Sequence, residues 1–310
     1  MISRRNIRVK VMQTLYSVES MNNETMPGEP LKILQKNLEH SRQLFTYLVY
    51  FITEVAHYAE VDSAQKAHKH LPTHGDLNIS TKIAGNELVW NVLADSSFKK
   101  AIVEYKIVSL TDTELIKKIY HGLTESEEYK AYISIQAREK RSEKKILEFI
   151  FSTLMLPNED FINHVEENFI HWDDDADMMV TLMENFFQKP SAFNFGEMLT
   201  KEKGDFAKDL LNCVLDKKEF CLDIIKPKLK NWDADRIAAL DMILMQMGVC
   251  ELLFFETIPP KVTINEYIDL AKEYSTPQSG HFVNGILDNI HKELLSQNKI
   301  HKKNFRNSTL

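Results

Sequence analysis

The stretch over residues 235–294, DRIAALDMILMQMGVCELLFFETIPPKVTINEYIDLAKEYSTPQSGHFVNGILDNIHKEL, constrains the fold more than any other part of the chain. An apolar run over residues 237–255 is closed by Thr257-Ile258-Pro259-Pro260, and tandem prolines, which lack backbone donors, stop a helix arriving from upstream. Thr263 and Glu266 have the Thr-x-x-Glu spacing of a capping box, and Val262 and Tyr267 flank it as a hydrophobic staple would. Ile264, Tyr267, Ile268 and Ala271 recur at helical spacing up to Ser275-Thr276-Pro277. Beyond that turn Phe282, Val283, Ile286, Leu287 and Ile290 form a second stripe. Three helices joined by short turns predict a bundle. Gly285, inside the last of them, is expected to permit close approach of a neighbouring helix.

The rest of the chain fits an all-α class. Only 9 glycines and 9 prolines occur in 310 residues, and long amphipathic windows outnumber alternating β-type runs. The net charge of −7 argues against nucleic-acid binding by the whole surface, so any RNA contact is confined to a local basic patch. Cys213, Cys221 and Cys250 form no Cys-x-x-Cys pair and lie in apolar helical contexts, as reduced, buried cytosolic thiols do. The apolar residues after Arg4, Arg5 and Arg8 are interrupted by Lys10 and Gln13-Thr14, unlike a signal peptide, and no window has the length of a membrane span. A cytoplasmic location is expected.

No motif for chemistry emerges. Phosphate-cradling glycine loops, Gly-x-Ser-x-Gly, His-Glu-x-x-His and paired-cysteine zinc spacings are all missing from the sequence. His68, His70 and His74, with His57 upstream, have no Cys or placed carboxylate to complete a metal shell and read as a surface loop. Asp173, Asp174, Asp175 and Asp177 read as a helix cap plus solvated charge, and the mixed charges over residues 137–145 as a solvated helix face. The expectation is a non-enzyme without cofactor or metal.

Residues 4–20 read as one helix with Ile7, Val11, Leu15 and Val18 on its buried stripe. Arg4 and Arg8 stand one turn apart, with Arg5 beside them. Positive charge is unfavourable at this end of the helix dipole. Its presence there fits an external anion, and solvated charge fits it too.

The string IPPKVTINEYIDLAK followed by FVNGILD resembles the C-terminal half of the NusB transcription antitermination factors. Arg4-Arg5-Asn6-Ile7-Arg8 leading into Gln13-Thr14-Leu15-Tyr16 is similar to the family's arginine-rich first helix. Asp209-Leu210-Leu211 through Ile225-Lys226-Pro227 is similar to its middle helix and Lys-Pro turn. The resemblance implies a NusB-like helical bundle with an additional helical region inserted after helix 1. The expected organisation is a first helix in 1–20, an inserted helical region in 21–202, the bundle in 203–298 and a basic, disordered tail in 299–310 containing Lys299, Lys302, Lys303 and Arg306.

What the resemblance implies functionally is a small RNA-binding adaptor. With NusE, a small-subunit ribosomal protein, such a factor binds single-stranded boxA-type elements of nascent ribosomal RNA in the RNA polymerase antitermination complex. Carried over by position, Arg4, Arg5 and Arg8 face the RNA backbone, and Gln278, Ser279, His281 and Phe282 approach bases. Tyr16 and Asp241 contact NusE. The sequence departs from the family at Gln278, His281, Met242 and Gln246. Two alternatives stand beside this reading: a helical protein-interaction scaffold, and the RNA-binding subunit of an rRNA-modifying enzyme whose methyl-donor domain is absent downstream.

Overall fold

The computed structural model describes residues 2–21, 26–229 and 237–303. Asp235 and Arg236 at the start of the stretch discussed first, and Arg306 of the tail, lie outside the described residues. Among the described residues every regular element is helical. In chain order the α-helices are α1 (Arg4–Ser20), α2 (Glu29–Ala67), α3 (His74–Leu77), α4 (Glu87–Ala94), α5 (Ser96–Glu104), α6 (Thr113–Glu125), α7 (Glu127–Ser134) and α8 (Lys140–Phe149). They continue as α9 (Glu159–Asn168), α10 (Trp172–Gln188), α11 (Lys201–Asp216), α12 (Lys218–Ile225), α13 (Ala239–Phe254), α14 (Pro260–Tyr274) and α15 (Ser279–Ser296). None of the helices is long and apolar enough to cross a membrane.

The described residues divide into two compact units, one spanning 39–198 and the other combining 2–38 with 199–303. α2 passes from one to the other as a single helix.

In the 39–198 unit, Leu44, Leu48, Phe51, Ile52 and Val55 of α2 recur at helical spacing and are buried. Aromatic rings close around them. Phe51 meets Phe161 edge-on at 4.9 Å between centroids, and Phe45 stacks on Phe193 and Phe195 at 5.5 and 5.6 Å. Asp112 caps α6 by accepting bonds from the Glu114 and Leu115 amides, as its position before an apolar-periodic run suggests. The charged stretch 137–145 is less solvated than expected, because Glu143 on α8 is buried. Its carboxylate accepts from Tyr132 Oη at 2.8 Å and from the Glu87 amide at 2.9 Å, and Arg138 lies 3.4 Å away. Its carbonyl accepts from Asn86 Nδ2 at 2.8 Å while Asn86 Oδ1 caps α4. A carboxylate can be buried there because each of its oxygens has a donor.

The other unit is a bundle of α1, α11, α12, α13, α14 and α15 around α13. Residues 243–252 of α13 are buried without interruption, so this helix is enclosed on every side and central. Gly248 admits its neighbours: a Cβ built there would stand 2.9 Å from both methyl carbons of Leu287 on α15. Gly285, expected to serve this purpose, has open space where its side chain would be and is exposed. Its position falls on the outer face of α15.

α14 begins earlier than the Thr263–Glu266 spacing suggests. Pro259 is its N-cap and Pro260 its first residue, a position where the missing N–H costs nothing. Thr263 is therefore inside the helix and fully buried, Glu266 turns toward α1, and Val262 is too exposed to staple anything. The described start of the tail, residues 299–303, packs against the end of α13. Lys302 Nζ donates to the carbonyls of Glu251 and Phe255 at 2.8 Å each, and Lys303 pairs with Glu256 at 3.3 Å. Carbonyls at the C-terminal end of α13, where helical partners run out, recruit the Lys302 ammonium.

Glu143→Ala should loosen the 39–198 unit by about 2–3 kcal/mol, since it strands Tyr132 Oη, the Glu87 amide and Arg138. Hydrogen exchange across residues 82–92 reads this locally, with Glu143→Gln retaining more protection than Glu143→Ala.

Candidate nucleic-acid interface

α1 starts with a reciprocal cap. Ser3 Oγ accepts from the Asn6 amide at 3.2 Å, and Asn6 Oδ1 accepts from the Ser3 amide at 3.3 Å. The cap sets the first turn, and the three arginines leave it toward different surroundings. Arg4 and Arg5 are about one-third exposed, whereas Arg8 is only 2% exposed.

Arg8 is placed otherwise than the resemblance implies. Its Nε and one terminal nitrogen donate to the two oxygens of Glu251 at 2.9 and 2.8 Å, a bidentate pair in the bundle core. Glu251 also accepts from Thr263 Oγ1 at 2.8 Å and Tyr267 Oη at 3.1 Å, and Glu266 approaches Arg8 to 3.3 Å. Burial and the adjacent Glu251 push the Tyr267 phenol up, so it keeps the proton it donates. The cluster joins α1, α13 and α14. Arg8 lies beneath the surface because every lone pair of its partner carboxylate is answered from inside the bundle.

Arg4 and Arg5 reach outward but are not unpaired. Arg4 bonds Glu202 at 2.6 Å, and Arg5 bonds Glu273 at 2.6 Å with Glu266 at 3.7 Å. The Arg4 guanidinium also lies 5.6 Å from the Phe206 ring centroid. The corner therefore carries mixed rather than strongly positive charge. The Arg5–Glu273 pair has a geometric consequence, because Glu273 is in the last turn of α14. It brings the first turn of α1 beside the turn that leads into α15.

At that turn the expected base-contacting residues divide. Gln278 and His281 are exposed and Phe282 is half-buried at the start of α15. Ser279 is buried. Its hydroxyl donates to Asp241 Oδ2 at 2.8 Å and sits within hydrogen-bond range of Ser275 and Thr276. Asp241, expected to contact a protein partner, is itself buried in the first turn of α13, with Oδ1 lacking a hydrogen bond. Ser279 and Asp241 thus hold the α13 and α15 starts together. Tyr16 is half-exposed, three turns along α1 from Arg4. Gly280 permits the tight α14–α15 turn: a Cβ there would overlap the Lys272 chain, which lies against it. A shallow groove follows, lined by Asn265, Ile268, Asp269, Lys272, His281 and Asn284. Sequence reading missed this groove, whose residues come from two helix faces that only the turn brings together. Among the described residues no His, Cys, Asp and Glu grouping is arranged to hold a metal.

Arg8→Ala is expected to destabilise the bundle by about 3–5 kcal/mol, since Glu251 is left buried without its countercharge. Arg4→Ala should cost about 1 kcal/mol or less. Urea unfolding monitored through this unit distinguishes them.

Residues 171–292 match the sequence pattern of the NusB family. A transcription antitermination protein NusB from Salinibacter ruber is 46% identical over 98 residues, which is 32% of this chain and 61% of that protein. The chain therefore spans less than two-thirds of that relative's length. The protein of the same name from Finegoldia magna is 40% identical over 94 residues, 30% of this chain and 69% of that protein. A solved structure titled T. maritima NusB, P3121, Form 2 is 37% identical, covering 30% of this chain and 66% of that one, with a TM-score of 0.29. The assignment rests on the sequence matches: the chain belongs to the NusB family.

Proposed function

We propose that this protein is an RNA-binding transcription antitermination factor that acts with NusE on boxA-type elements of nascent ribosomal RNA. In this reading it works in the cytoplasm within the RNA polymerase antitermination complex and catalyses no reaction. The supporting observation is the Arg5–Glu273 ion pair, which ties the first turn of α1 to the end of α14, five residues before Gln278. Residues far apart in sequence thereby share one edge of the bundle. Arg4 and Arg5 would take backbone phosphates, the α15 start would meet bases, and Phe282 offers a ring edge for stacking. Arg8 holds this surface from below. Tyr16 is the exposed candidate for NusE, with Asp241 supporting the neighbouring turn.

A second reading, a helical interaction scaffold, draws support from the carboxylates that already occupy Arg4 and Arg5. The two readings separate on RNA affinity.

Binding of a short boxA-type RNA, with and without NusE, should be cooperative and should weaken as salt rises. Arg4→Ala/Arg5→Ala should lower affinity about tenfold and reduce the log–log salt slope by about 1.4, the release expected for two phosphate contacts on a single strand. Unchanged affinity at all salt concentrations would remove these residues from the interface. No RNA binding by folded wild-type protein in either condition would favour the scaffold.

A further inference from the structure

The chain's three cysteines, scattered over 38 positions, meet at one point in the bundle. α11 brings Cys213, α12 brings Cys221 and α13 brings Cys250. Cys221 Sγ and Cys250 Sγ are 3.5 Å apart, and the Cys213 thiol lies close enough to that of Cys250 to interact with it electrostatically. Cys250 is thus common to both contacts. Cys221 and Cys250 are fully enclosed, while Cys213 is partly open to solvent, one turn before the exposed Lys217 at the end of α11.

Single cysteines pack well as small apolar groups, and one buried thiol requires no explanation. Two gathered on a third, one of them reachable, form a redox-competent arrangement. We propose that Cys213, Cys250 and Cys221 constitute a peroxide-sensitive thiol site, in which Cys213 is oxidised first, Cys250 resolves it as a disulfide and Cys221 can take over that bond.

The chemistry follows the geometry. The Cys213 thiolate attacks one oxygen of hydrogen peroxide. The O–O bond breaks, the sulfur becomes a sulfenic acid, and the departing hydroxide is protonated to water. Cys250 sulfur then attacks Cys213 sulfur, forming the S–S bond and breaking the S–O bond. The hydroxyl leaves as water with the Cys250 proton, so two thiols have lost two electrons and peroxide has become two waters. Cys221 can next attack Cys250 sulfur, releasing Cys213 as a thiol that receives the Cys221 proton. The 3.5 Å separation must shorten to about 2.05 Å for that bond, a movement of about 1.5 Å. The neighbouring Cys250 thiol, aided by Lys217, holds the Cys213 thiol below its ordinary range, which suits it to react first. The same contacts and burial push Cys250 up, so it stays protonated until a sulfenic acid is adjacent. The resulting crosslink would fasten α11, or after exchange α12, to the central helix α13.

The test is native full-length protein treated with stoichiometric hydrogen peroxide, then denatured, alkylated and mapped by mass spectrometry. The expected product has lost two hydrogen masses, carries one alkylatable thiol in place of three, links Cys250 to Cys213 or Cys221, and recovers all three with dithiothreitol. Cys213→Ser should slow disulfide formation by about tenfold or more, since only enclosed thiols remain. Cys250→Ala should form no intramolecular disulfide and should accumulate a sulfenic acid at Cys213 that dimedone traps. Should Cys250→Ala not fold, Cys221→Ser serves instead and must still yield the Cys213–Cys250 bond. Three free thiols after peroxide, a product oxidised beyond sulfenic acid without a crosslink, a disulfide between chains, or a Cys213–Cys221 bond in Cys250→Ala would each overturn the proposal.

Discussion

One buried carboxylate organises the bundle. Glu251 lies in the last turn of the most apolar helix and is answered by Arg8 from α1 and by Thr263 and Tyr267 from α14. Isolated in that interior, the charge would be prohibitive; with both oxygens bonded it becomes a directional constraint that apolar packing alone does not provide. Hydrophobic stripes tolerate rotation and sliding. A bidentate pair fixes α1 in register against α13, and so fixes where the preceding turn presents Arg4 and Arg5. The exposed corner inherits its geometry from the buried one, while Ser279 and Asp241 set the facing α13–α15 contact in the same manner.

Much of the fold was legible because it depends on periodicity and local caps. α1 and the break at the tandem prolines both follow from side chains a few residues apart. What was not legible depends on partners far along the chain. Arg4 and Arg8 share one helix face, and nothing within α1 tells which will meet a carboxylate 243 positions away. Thr263 and Glu266 have the spacing of a cap, but Pro260 already supplies the first residue of α14, which frees both for tertiary contacts. Glu143 looked like one more surface charge among lysines, since its donors come from α4 and α7.

The candidate interface shows the same division. The resemblance identified the segments that lie at one edge of the bundle, but not which of their side chains point out of it. Burial of Arg8, Ser279 and Asp241 gives these residues work inside the bundle. The groove beside His281 required the turn between two helices, and the meeting of three cysteines required the packing of three. Odd number and irregular spacing made the thiols look unrelated, because spacing along the chain carries no information about helices that cross.

The pairing of Arg5 with Glu273 has a consequence for any anion that comes to this corner. A guanidinium in open water gives up only hydration when it is captured, whereas this one gives up a carboxylate at 2.6 Å. Capture becomes an exchange reaction, in which the incoming group is weighed against an acid already in place and the displaced Glu273 must find water or a new cation. Weakly held anions lose that exchange, and a ligand with several linked phosphates can win it. The acid thus acts as a built-in competitor that filters for multivalency rather than for charge alone.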